Sequence, residues 1–153
     1  MKIIDKSTQK IVDDYLIDSK NKTATSVANN RSILTDINKI SFDKNTVKIQ
    51  SDKGSLNLEL VDGVLDKISG DIERVGNSFM FYNKSLTSID LPSVTFIGND
   101  FLYLNETLRS VNLPLVETIG DEFLYRNIAL ENIDLPLVSV IGGQFLDRNE
   151  SSL

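Results

Sequence analysis

The chain has 153 residues, 41% of them apolar, so a single domain that buries its own core is the expected scale. It contains neither cysteine nor histidine, which removes disulfides, thiol chemistry, zinc sites and the Ser-His and Cys-His catalytic arrangements together. A formal net charge of −6 opposes direct binding of nucleic acid through its phosphates and permits binding a basic protein surface or mimicking a polyanion.

Met1-Lys2-Ile3-Ile4-Asp5 is not followed by the apolar stretch of a signal peptide. No run reaches the roughly 20 apolar residues of a membrane span. The expected location is therefore cytoplasmic with no membrane contact, or the cell surface if the sequence is a piece of a longer protein. Residues 1–45 predict a helical cap. Ser7 is placed as an N-cap before Lys10–Ile17, where Ile11, Tyr15 and Leu16 share a helical face. Val27, Leu34 and Ile37 make a weaker helical stripe over residues 26–40. A helix-turn-helix is disfavoured because Asp13, Asp14, Asp18 and Asp36 would face phosphates.

Residues 46–69 predict a β-meander. Val47 and Ile49 alternate with polar neighbours, Asp52-Lys53-Gly54 turns the chain, Leu56, Leu58 and Leu60 alternate, and Asp62-Gly63 turns it again.

Residues 70–153 are repetitive. Leu91-Pro92, Leu113-Pro114 and Leu135-Pro136 lie 22 residues apart. In the same register stand Ile72, Val94, Val116 and Val138, then Val75, Ile97, Ile119 and Ile141, then Gly76, Gly98, Gly120 and Gly142. Phe79, Phe101, Phe123 and Phe145 follow, then Met80, Leu102, Leu124 and Leu146, then Asn83, Asn105, Asn127 and Asn149. Such a period means stacked coils, each burying what it cannot bury alone. Ser88–Leu91, Ser110–Leu113 and Asn132–Leu135 alternate as strands, and the following proline ends each one because it cannot donate to the ladder. The glycine column predicts a bend at positive φ. The asparagine and phenylalanine columns predict an inward ladder and a core wall rather than ligand sites.

The run Ile119-Gly120, Phe123-Leu124, Asn127, Leu130, Ile133, Leu135-Pro136 resembles the bacterial BspA-type leucine-rich repeats, over about residues 70–153. Phe, Leu and Asn replace that family's usual Ala, Phe and Cys, as coordinated changes of core residues. The resemblance implies a β-strand solenoid that recognises proteins. The fold class expected is thus α+β: a short leucine-rich-repeat solenoid with an N-terminal α/β capping region.

Two surfaces are candidates for recognition. Ser88, Asp90, Ser110, Asn112, Asn132 and Asp134 are the outward members of the repeat strands. Phe81, Tyr103 and Tyr125, beside Tyr82, Leu104, Arg126 and Arg148, form an aromatic and basic column, and Tyr and Arg are favoured in interface hot spots. Asp13/Asp14 and Asp121/Glu122 are carboxylate pairs, but adjacent carboxylates on a turn are ordinarily solvated, so no enzymatic role, cofactor or metal is expected. The leading function is a protein-binding module of a bacterium. The alternatives are a small acidic phage or mobile-element inhibitor of a basic host nuclease or nucleic-acid-binding protein, and a fragment of a larger surface protein. No strand follows Asn149–Leu153 to cover the last coil, so a homodimer through the C-terminal end is also expected.

Overall fold

In the computed structural model, which describes residues 7–81 and 83–147, all regular structure is β. The first sheet is antiparallel and contains β1 (Gln9–Val12), β2 (Tyr15–Asp18) and β3 (Thr23–Ser26), in that order. The helix expected over Lys10–Ile17 is therefore a hairpin, turned at Asp13, whose φ is 54°. The side chains it buries are Val12, Tyr15 and Ile17, while Ile11 is 51% exposed. That is a strand pattern interrupted by a turn. The β-branched and aromatic residues favour it, and aspartate tolerates the left-handed turn position. The helix expected over 26–40 is also absent. Asn30 and Asp36 hold φ of 58° and 57°, which no right-handed helix admits, and Ile33 and Leu34 are buried from a loop. The cap is a sheet, and the described chain is all-β rather than α+β. Tyr82, Arg148 and Asn149 lie outside the described residues.

The meander comprises β4 (Ile37–Asp43), β5 (Thr46–Ser51), β6 (Gly54–Val61) and β7 (Val64–Ile72). Its last turn has φ of 51° at Asp62 and 80° at Gly63, the two left-handed central residues that a tight hairpin needs. Beyond it the chain coils. It forms β8 (Arg74–Val75), β9 (Ser88–Asp90), β10 (Phe96–Ile97), β11 (Ser110–Asn112), β12 (Thr118–Ile119), β13 (Asn132–Asp134) and β14 (Val140–Ile141). The odd-numbered strands from β9 on continue the meander's sheet, in the order β13-β11-β9-β7-β6-β5-β4, and the even-numbered strands build a second parallel sheet, β14-β12-β10-β8. Strand β7 joins the two modes, pairing antiparallel with β6 and parallel with β9.

The core runs down the inside of the coils. Phe79, Phe101, Phe123 and Phe145 stack at centroid distances of 5.7, 5.4 and 5.4 Å. Leu91, Val94, Ile97, Leu102, Leu108 and their counterparts one repeat on are buried beside them. The asparagine column is internal as well. Asn105 Nδ2 donates to the Met80 carbonyl of the preceding coil at 2.9 Å, and Asn127 Nδ2 donates to that of Leu102 at 2.9 Å. Asn83 Oδ1 accepts the Ser85 and Leu86 amides at 2.9 and 2.6 Å. These amides satisfy backbone groups that the turns leave without strand partners.

The glycine column has a different cause from the one expected. Positive φ falls not on Gly76, Gly98, Gly120 or Gly142 but on the residues after them, such as Asp100, Leu102 and Leu104, and Glu122, Leu124 and Arg126. A left-handed L-residue costs roughly 1–2 kcal/mol. Here each is held by a bond to a neighbouring coil: Leu102 N–H to Phe79 at 3.0 Å, and Asp100 and Leu104 N–H to Asp121 and Tyr125 at 2.9 and 2.8 Å. The glycines answer a demand for space instead. A Cβ on Gly98, Gly120 or Gly142 would lie 2.4 Å from Oδ1 of Asn77, Asn99 or Asp121 respectively, whereas one on Gly76, which begins the column, would meet nothing within 4 Å.

Candidate recognition surface

The strand face is built by register. Parallel pairing sets Ser88, Ser110 and Asn132 in one row, and Asp90, Asn112 and Asp134 in the next. The intervening Ile89 and Val111 point inward and are buried, which fixes their neighbours outward. Asp90, Asn112, Asn132 and Asp134 are exposed, and the two serines are half-buried. Hydrogen bonds along the rows hold them in place: Asn112 Nδ2 to Asp90 Oδ1 at 2.7 Å, and Ser110 Oγ to Ser88 Oγ at 3.3 Å. The six form a shallow depression floored by Ile89, Val111 and Ile133.

The rows run on into the meander, where outward lysines and acidic side chains are mixed. Lys67 stands across from Ser88, and Ser69 from Asp90. Glu59 pairs with Lys67, and Lys48 with Asn57. Lysines thus sit on the antiparallel strands, while β9, β11 and β13 carry only neutral and acidic outward side chains.

Tyr103 and Tyr125 belong to another wall, the turn segment that follows each glycine. Phe81, Tyr103 and Tyr125 stack with centroids 4.7 and 4.8 Å apart and nearly parallel rings. All three are half-buried, and the middle ring, Tyr103, is covered on both faces by its neighbours. Arg126 is exposed beside them. The strand rows and this aromatic stack are two surfaces, and the fold does not merge them into one site.

One polar column with defined partners was not recognised as a column in the sequence. Asn77, Asn99 and Asp121 each follow a glycine of the repeat, in a column that the fourth copy fills with Gly143. Their Oδ1 atoms accept the backbone N–H of Asn99, Asp121 and Gly143, one coil on, each at 2.8 Å. At the cap, Asp13, Asp14, Tyr15, Ser26, Asn29, Ser78 and Phe81 line a depression where the first sheet meets the first coil. Burial is the main cause that raises the Asp13 carboxyl above its usual range, with the neighbouring Asp14 charge adding to it, against opposing interactions with the Asp14 backbone and the Asn83 side chain. The Asp13 side chain nonetheless remains exposed to solvent. The Asp14 carboxylate is occupied in holding its own loop, accepting from Ser26 Oγ and from Ala28 N–H. Burial also raises Asp100, with the Asp121 charge second and Arg31 opposing. Elsewhere the Arg74 guanidinium lies 4.0 Å over the Phe96 ring, at the first edge of the second sheet.

Among the described residues no group of three or more acidic side chains is placed to hold a metal ion. A family model described as "BspA type Leucine rich repeat region (6 copies)" matches residues 68–151, more than half of the chain. No curated protein matches the chain. No solved structure matches it either.

Proposed function

As the chain belongs to the BspA-type leucine-rich repeat family, we propose that it is a non-enzymatic protein-binding module whose recognition surface is the row of outward side chains on β9, β11 and β13. One observation carries this reading. Asp90 and Asn112 are exposed yet already bonded to each other at 2.7 Å, so the array is ordered before a partner arrives. Pre-organised side chains lose little freedom on binding, which is where affinity is usually lost. A shallow, polar, repetitive face also suits a protein surface better than an enclosed small molecule. The acidic rows, set beyond the lysines of the meander, favour a partner with a basic patch, as an inhibitor of a nucleic-acid-binding protein would require.

The test is affinity capture from a bacterial lysate with the wild-type chain and with Asp90→Lys/Asn112→Lys. A protein retained by the wild type alone supports the strand rows as the binding surface. Equal retention by both moves the surface to the Tyr103 and Tyr125 wall or to the cap. If the retained protein elutes with moderate salt, the acidic reading gains support, because exposed charge attraction is screened over about 8–10 Å at such ionic strength.

A further inference from the structure

In the second sheet each coil receives the same bonds from the coil before it. Thr95 N–H donates to the Glu73 carbonyl at 2.8 Å, Gly98 N–H to the Val75 carbonyl at 2.9 Å, and Asn99 N–H to the Asn77 side chain at 2.8 Å. Gly120 and Asp121 repeat the last two against Ile97 and Asn99. Strand β8 is the terminal strand of this sheet, and there the equivalent donors are the amides of Gly76 and Asn77. Neither donates to an acceptor among the described residues. Both residues are exposed, whereas Gly98 is buried.

A groove of about 680 Å³ runs along this edge, lined by Arg74, Val75 and Gly76 and by Ile33 and Leu34 of the cap loop. Its size is within the roughly 300–1,000 Å³ of ligand clefts. Gly76 shows what the edge is shaped to accept. Its φ is not positive and a Cβ on it would meet nothing within 4 Å, so neither turn geometry nor crowding within the described chain calls for glycine. On the later coils the same glycine makes room for Oδ1 of the asparagine or aspartate one coil back. Gly76 holds that room open toward the groove.

We propose that β8 is the docking edge for an extended peptide of a partner protein, laid parallel to it as a fifth strand. The peptide carries an apolar residue followed, two positions on, by asparagine or aspartate. The carbonyl of the apolar residue takes the Gly76 N–H, and the side-chain oxygen takes the Asn77 N–H across the glycine. Ile33, Leu34 and Val75 receive the apolar side chain. Strand addition of this kind draws affinity from main-chain bonds and specificity from side-chain pockets. A second copy stacked end to end would not supply the oxygen, because Gly143 fills that column in the last repeat. The charged lining is balanced, Asp52 and Glu73 against Lys53 and Arg74, so binding here should depend little on salt. The rows on β9, β11 and β13 belong to the other sheet, so the two surfaces stand or fall separately.

The probe is a fluorescein-labelled peptide, Val-Glu-Thr-Ile-Gly-Asp-Glu, which copies residues 116–122 and carries the required pattern. Its anisotropy should rise saturably as the wild-type chain is added. Alanine in place of the peptide's aspartate should weaken binding about tenfold or more, as loss of a charged acceptor does. Gly76→Ala should weaken it to a similar degree, because the added carbon fills the place of the oxygen, while the urea midpoint stays that of the wild type. Asp90→Lys/Asn112→Lys should bind the peptide as the wild type does. Absence of saturation up to about 1 mM overturns the proposal, as does equal affinity for the alanine peptide or an undiminished affinity of Gly76→Ala. Self-association of the wild-type chain that Gly76→Ala abolishes would make a second copy the occupant and overturn it as well.

Discussion

The side-chain oxygen of Asn99 accepts the backbone N–H of Asp121, one repeat further on, at 2.8 Å. With the equivalent bonds from Asn77 and Asp121, it draws successive coils together just beside the glycine column. The same oxygen occupies the volume that a side chain at position 120 would need.

Gly120→Ala should therefore cost about 1–3 kcal/mol, the usual range for forced overpacking. The added carbon would stand 2.7 Å from the Gly98 carbonyl carbon, a backbone atom that cannot swing aside. Gly76→Ala has open space and should change stability by less than about 0.5 kcal/mol. Urea unfolding of the two variants is the check, and equal losses would remove coil spacing as the reason for the glycines.

Phe123 is fully buried in the middle of the ring stack. Phe123→Ala should cost about 3–5 kcal/mol, and Glu117→Ala, on the exposed turn of the same coil, less than about 0.5 kcal/mol. Comparable melting shifts for the two would contradict the inside and outside assigned to the repeat.

The repeat made this half of the chain legible. A side chain that recurs every 22 residues must meet its own copy, so strand positions, the Phe stack and the Asn ladder could all be read from the columns. The cause of the glycines could not, because the signal lay in the next column. Asn77, Asn99 and Asp121 look like ordinary turn residues until their reach across one coil is known. The cap was misread for a related reason. Ile11, Tyr15 and Leu16 satisfy a helical spacing, but Val12, Tyr15 and Ile17 satisfy a hairpin equally well, and only packing against the first coil decides between them. The strand rows were legible as outward positions, while the Asn112–Asp90 bond depends on rotamers that no spacing encodes.

Tyr15 carries a pH prediction. Burial, the dominant cause, with the nearby Asp14 and Asp13 charges, pushes its hydroxyl up to about 12, against a smaller opposing bond from the Met80 backbone. The folded value lies above the unfolded value of about 10. The stabilisation is thus fully present below pH ~10 and is lost as pH rises from ~10 to ~12, on the order of 2–3 kcal/mol. Titration of tyrosinate absorbance should show a late phenol that coincides with unfolding and disappears in Tyr15→Phe.

Asp18 acts in the opposite sense. Its carboxylate accepts the Asn21 and Lys20 amides at 3.0 Å each, Gln9 Nε2 at 2.9 Å and Asn21 Nδ2 at 2.8 Å. The Asn21 backbone bond, then the Gln9 side chain, hold its pKa below the ordinary value. The stabilisation is present above the unfolded pKa of about 4 and is lost as pH falls through the lower folded value. Asp18→Ala should cost about 1–3 kcal/mol at neutral pH and should flatten the dependence of stability on pH in the acid range. A variant as acid-sensitive as the wild type would place that sensitivity elsewhere.

Strand β7 is where local pairing gives way to pairing across a whole coil. Hairpin contacts close short loops, whereas each contact between coils closes a loop of 22 residues. The meander should accordingly order first, with order spreading from it one coil at a time toward β13. Shortening the stack from its far end should leave a smaller protein that still folds, whereas removing β7 takes away the template on which the first parallel strand is laid.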